Sequence, residues 1–96
     1  PSKFPSIQRD LAFIVSERID YIELFKEISK HAGKDLIDVK LFDLFKGGDL
    51  QKNQKSLAFR LTWQSVKGTL EDSYIDSVID KIVKNSKSKF GAKLRS

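Results

Sequence analysis

The chain of 96 residues is 40% hydrophobic and 32% charged, with one histidine and neither cysteine nor methionine. One modest core fits that inventory, which excludes intrinsic disorder, a second domain, a membrane-spanning apolar run, a disulfide scaffold and any cysteine chemistry. The net charge of +5 is uneven, since residues 1–45 hold seven basic and eight acidic side chains and residues 46–96 hold eleven and five. Clustered Lys and Arg point either to a polyanion such as nucleic acid or to a merely solubilising surface. A chain that opens on Pro1 without a methionine reads as a single domain, residues 1–96, cut from a longer polypeptide, with no signal or transit segment visible.

After an extended stretch over Pro1–Pro5, Gln8 to Val15 alternates as a strand, with Leu11, Phe13 and Val15 on one face. Asp20 and Glu23 have the spacing of a capping box for a helix whose stripe is Tyr21, Leu24, Phe25, Ile28 and Ala32, stopped by Gly33. Leu36 to Phe45 is a second strand, followed by a mobile, polar, lysine-bearing loop that begins Lys46-Gly47-Gly48-Asp49. Lys55 to Gln64 is the clearest strand, with Leu57, Phe59, Leu61 and Trp63 opposite Ser56, Ala58, Arg60 and Thr62. Thr69 is the expected cap of a second helix with the stripe Ile75, Val78, Ile79, Ile82 and Val83. Gly91 ends it, and Ala92 to Arg95 is a short closing strand.

This βαββαβ order predicts an α+β, ferredoxin-like sandwich: a four-stranded antiparallel sheet with both helices on one face. The other face is left for solvent, a neighbouring domain or a ligand.

No residue pattern supports catalysis. His31, in the last turn of its helix, reads as a surface cap, because no second His or Cys is present to share a metal. Asp72, Asp76 and Asp80 recur every four residues, but the lysines beside them make a solvated face. Lys46-Gly47-Gly48 is too short to cradle phosphate, and there is no nucleophile elbow.

Binding features are better represented. Lys46 and Lys55 bound the basic loop, and Arg60 lies on the polar face of the third strand. Asp43 and Phe45 share a parity at the end of the second strand; an aromatic there suits either a splayed base or ordinary edge packing, and a carboxylate can accept from a guanine or cytosine edge. Val39 and Leu41 share that parity, which makes the face partly apolar unless a bulge intervenes. An ordinary RRM is disfavoured, because its stacking strand would need Gly and aromatics where Ser56, Leu57 and Thr62 stand.

Four segments carry a resemblance: Phe4-Pro5-Ser6-Ile7-Gln8-Arg9-Asp10-Leu11-Ala12-Phe13, Leu41-Phe42-Asp43-Leu44-Phe45-Lys46-Gly47, Lys55-Ser56-Leu57-Ala58-Phe59-Arg60-Leu61 and Phe90-Gly91-Ala92-Lys93-Leu94-Arg95. In order and spacing they resemble the ferredoxin-fold anticodon-binding domain that closes the beta subunit of bacterial phenylalanyl-tRNA synthetase. The resemblance implies a cytoplasmic, non-catalytic domain that docks the anticodon stem-loop of phenylalanine tRNA, with the rest of the beta subunit and the alpha subunit as partners and no membrane. It implies no cofactor in this domain, the parent ligase using ATP and magnesium elsewhere. It also implies that the first anticodon base stacks on Phe45 and touches Asp43, Ser56 and Ala12; the common aromatic is tyrosine, so Phe45 keeps the face without the hydroxyl. Lys46, Lys55 and Arg60 are the basic residues matched by neighbourhood. Two other readings stay open: a ferredoxin-like protein-interaction or regulatory module using the open sheet face, and, more distantly, an acylphosphatase-like enzyme, for which Ser16-Glu17-Arg18-Ile19-Asp20 is a poor anion loop.

Overall fold

Alternating side chains can bury only one face of a strand, and Leu11, Phe13 and Val15 make that choice for the first one. In the computed structural model, which describes residues 4–95, this strand is β1 (Ile7–Ser16). Pro1–Lys3 of the expected extended stretch lie outside the described residues. The chain continues through α1 (Tyr21–His31), β2 (Leu36–Phe45), β3 (Gln54–Trp63), α2 (Asp72–Phe90) and β4 (Lys93–Leu94). All pairings are antiparallel and the sheet order is β2-β3-β1-β4, as the ferredoxin-like reading expects.

The core lies between the sheet and the two helices. Phe13, Leu57, Phe59, Leu61 and Trp63 from the sheet meet Leu24, Ile28, Ile75 and Ile82, all fully buried. Each such side chain contributes roughly 1.5–3 kcal/mol of burial. Trp63 also donates its indole N–H to the Ala32 carbonyl at 2.8 Å, which ties the end of β3 to the end of α1.

Local signals set most helix ends. Asp20 accepts the Ile22 N–H, and Glu23 accepts the Asp20 N–H at 3.2 Å, closing the capping box. Gly33 follows α1 with φ +88°, where a side chain is strained, and a Cβ there would also stand 2.8 Å from the Tyr74 hydroxyl oxygen. Gly91 ends α2 in the left-handed region and donates its N–H to the Lys87 carbonyl at 2.8 Å.

Three expectations need correction. Thr69 does not cap α2: the helix begins at Asp72, Glu71 is its extended N-cap residue, and no side chain caps it. Leu70 packs against the core, which holds Thr69–Glu71 out of the first turn. On α1 the buried face is centred on Leu24, Glu27 and Ile28, so Tyr21 falls on its exposed margin. His31 is no surface cap either, since its ring lies half-buried with Nε2 2.9 Å from Glu27 Oε2.

Candidate nucleic-acid interface

Among the described residues no helix covers the second face of the sheet, and the register lines its side chains up in rows. Phe45 pairs with Ser56, Ser56 with Ile14, and Ile14 with Lys93, so one row crosses all four strands. The next row runs from Asp43 through Ala58 to Ala12, whose carbonyl accepts the Arg95 N–H at 2.7 Å. Two alanines in the centre leave the floor of this face low.

The shared parity of Val39, Leu41, Asp43 and Phe45 is resolved by a bulge. β2 slips register between Leu41 and Asp43, so that Leu41 opposes Phe59 on the core face and Asp43 opposes Ala58 on the open face. One extra residue, Phe42, reverses the alternation and turns Asp43 and Phe45 outward. An earlier slip between Leu36 and Asp38 does the same around Ile37. Leu36, Val39 and Leu41 of β2 thus pack against the core, while Ile37, Phe42, Leu44 and Phe45 stay largely exposed.

Two arginines lie on aromatic rings of β2. The Arg95 guanidinium carbon is 5.1 Å from the centroid of Phe45, although the two residues start from opposite edges of the sheet. Arg95 is held there by Asp49 of the following loop, at 2.9 Å. The Arg60 guanidinium stands 4.7 Å over the Phe42 ring and pairs bidentately with Asp10 on β1, at 2.9 and 3.0 Å. The hydrogen bond and charge of Arg60 hold the Asp10 carboxyl below its ordinary value, and Asp10 raises Arg60 in return. A guanidinium over an aromatic face is an attractive arrangement, and its plane offers the same stacking surface to a base.

The site residues expected from the sequence divide into two groups. Ala12, Asp43, Phe45 and Ser56 come together on the open face. Phe45 is 38% exposed, but Ser56, beneath it, is only 5% exposed. The basic residues gather less well. Lys46 donates to Glu17 at 2.6 Å, and that bond holds the Glu17 carboxyl below its ordinary value. Arg60 is committed to Asp10 and Phe42. Lys55 opposes Val15 on the parity of the core face and is 8% exposed, so it does not share the face of Phe45. The loop expected to be mobile is tied by Leu50 N–H to Gly47 O and Gln54 N–H to Gln51 O, each 3.0 Å, and by Glu17 N–H to Asn53 O at 2.8 Å.

Among the described residues, no group of three or more His, Cys, Asp or Glu is placed to hold a metal. Asp72 of the acidic series instead pairs with Arg9 at 3.4 Å. Among the same residues, no helix is long and apolar enough to cross a membrane.

An open sheet face with a stacking aromatic, a carboxylate beside it and an arginine above it fits a flexible, base-bearing ligand. The family model of the ferredoxin-fold anticodon binding domain matches residues 2–95. The chain belongs to that family. Curated relatives of this anticodon-binding domain are phenylalanine–tRNA ligase beta subunits. The one from Pseudoalteromonas translucida is 44% identical over 98% of this chain, and that from Vibrio parahaemolyticus is 43% identical over 98%. The subunit from Bacteroides fragilis is 39% identical over 98% of the chain. The chain spans 12% of the length of each of these relatives.

Sequence reasoning leaves Arg95 and Phe42 out of the site. Both stand within the family motifs, yet nothing local says that Arg95 crosses the sheet or that Phe42 is a bulge residue. An arginine that closely follows a two-residue edge strand and shares the parity of its open face is the signal that points to the first.

Proposed function

We propose that this chain is the tRNA-reading domain of a phenylalanine–tRNA ligase beta subunit and docks the anticodon stem-loop of phenylalanine tRNA without catalysing a reaction itself. The observation that carries the reading is the Phe45 ring on the open face, with Arg95 over it and the low Ala12–Ala58 floor beside it. A splayed base stacks on the ring, and the Asp43 carboxylate accepts from the amino or imino groups of that base. Because Arg95 already lies on Phe45, the base either takes its place or enters beside it, and Asp49 is the tether that sets how far Arg95 moves. Aminoacylation, with its ATP and magnesium, belongs to other parts of the parent enzyme, whose alpha subunit and remaining beta-subunit domains are the protein partners.

Affinity for the phenylalanine anticodon stem-loop, measured for Phe45→Ala, tests this reading. Loss of stacking is expected to weaken binding by about 1–3 kcal/mol. Unchanged affinity rejects the site. Asp43→Ala is expected to lose discrimination at the first anticodon base; an equal loss for every anticodon marks Asp43 as structural.

One observation favours a second reading, in which the domain docks on protein. β2 is an edge strand, and its Ile37 and Leu44 are 57% and 49% exposed. That reading predicts self-association or a protein complex indifferent to salt and to tRNA, which size-exclusion chromatography with and without tRNA resolves.

A further inference from the structure

Three cations at or beside the open face are neutralised. Lys46 is paired with Glu17, Arg60 with Asp10 and Arg95 with Asp49. Paired in this way, they leave little net attraction for a phosphodiester backbone. The excess positive charge lies elsewhere: the segment from Lys81 to Arg95 holds five lysines and one arginine and no acidic residue. Within it Lys89 is taken by Glu27, at 3.4 Å. Lys84, Lys87 and Lys93 are exposed and form no ion pair among the described residues.

These three are close in space. Lys84 and Lys87 stand at i and i+3 on α2, neighbours on a helix surface. Lys87 and Lys93 line the same cleft of about 470 Å³, together with Val83, Gly91, Ala92 and Leu94. Lys93 lies in the cross-strand row that ends at Phe45, and the Arg95 guanidinium, two residues on and paired with Asp49, lies over the ring itself. A line of lysines, unpaired among the described residues, therefore runs from α2 to the β4 edge of the open face.

Complementing the helix dipole does not account for the series. That effect fades within the last turn, which contains Lys87 and Lys89, whereas Lys84 lies earlier and Lys93 lies beyond the helix. We infer that Lys84, Lys87 and Lys93 form a track for the phosphate backbone of the RNA strand that continues from the base held at Phe45. The inference rests on the proposed RNA reading and adds to it the route of the strand: around the β4 edge, away from the paired cations of the β2–β3 loop.

Binding of the chain to the phenylalanine anticodon stem-loop across a salt series tests the track. Lys84→Gln, Lys87→Gln and Lys93→Gln together are expected to reduce the slope of log affinity against log salt by about two, near 0.7 for each single-strand phosphate that is no longer neutralised. Phe45→Ala is expected to lower affinity at every salt concentration without changing that slope, since stacking releases no counterions. A control variant with the same charge change, Lys26→Gln, Lys34→Gln and Lys67→Gln, should leave the slope as it was. An unchanged slope in the track variant, or an equal drop in the control, overturns the track while leaving the Phe45 reading intact. If the unsubstituted chain fails to bind the stem-loop, both fall together.

Discussion

Gly48 lies against the ring of Phe45: a Cβ built on the glycine would stand 3.1 Å from the ring Cζ and 3.3 Å from Cε2. Gly48 also has φ +56°, where L side chains are strained. Gly48 therefore lets the loop close onto the aromatic, and the next residue, Asp49, reaches Arg95. Gly48→Ala is expected to cost about 1 kcal/mol of stability from the strained backbone and to displace the ring of Phe45. RNA affinity should fall further than the melting temperature alone accounts for. A variant that melts earlier but binds normally shows that the ring position is unimportant.

Arg95 reaches Phe45 across two intervening strands, so its contribution separates from that of the ring. Arg95→Ala keeps the backbone bond to Ala12, because that bond uses the main-chain N–H. Stability is expected to change by less than about 1 kcal/mol, in keeping with an exposed pair. Affinity for the anticodon stem-loop should drop, and Arg95→Lys should recover the charge but not the planar stack. Equal affinity of the Lys and Arg forms shows that charge alone is used.

α2 starts without a side-chain cap, although Glu71 already has N-cap backbone geometry, with φ −94° and ψ 147°. A shorter oxygen-bearing side chain satisfies a free N–H of the first turn better than glutamate does. Glu71→Asp or Glu71→Ser is expected to stabilise the fold by about 0.5–1 kcal/mol, a gain of a few degrees in Tm for a domain of this size. Thr69→Ala should be close to neutral. A large loss on Thr69→Ala indicates that Thr69 does help to start the helix.

The features legible in the sequence are local. β1 and β3 declare themselves by period-two alternation, and the Asp20–Glu23 box and the Gly33 and Gly91 stops each depend on a few neighbouring residues. What stays hidden depends on partners far along the chain. Arg60 and Asp10 are fifty residues apart, and only the β1–β3 register makes them face each other. The bulge at Phe42 sets Leu41 opposite Phe59 on the core side and Asp43 opposite Ala58 on the open side; it is legible only as an awkward shared parity. Thr69 is a good cap by type, and the packing of Leu70 overrules it. The family motif groups Asp43, Phe45, Ser56 and Ala12, whereas the pairing of Lys46 and the burial of Lys55 follow only from the folded packing.

Glu27 is the buried carboxylate of the helix layer, 6% exposed, with His31 and Lys89 at 2.9 and 3.4 Å. Burial alone would raise its pKa, but the hydrogen bonds from His31 and Lys89 and their charges prevail and hold it below the ordinary value of 4.5. Because the carboxylate is the acceptor, the proton on this side of the imidazole belongs to Nε2. A depressed pKa in the folded state means that this group's contribution is fully present above about pH 4.5 and is lost as the pH falls through the folded value. Glu27→Gln is expected to destabilise by about 1–3 kcal/mol near neutral pH, since the acceptor of both bonds loses its charge and its amide NH2 must face one of the two donors. The gap in Tm between the two forms should narrow below pH 4.5, as the native carboxylate takes up its proton. Thermal melts of both proteins between pH 7 and pH 3 check this. A gap that is constant over that range means that Glu27 acts through packing alone and that its charge contributes nothing to the joint between α1 and α2.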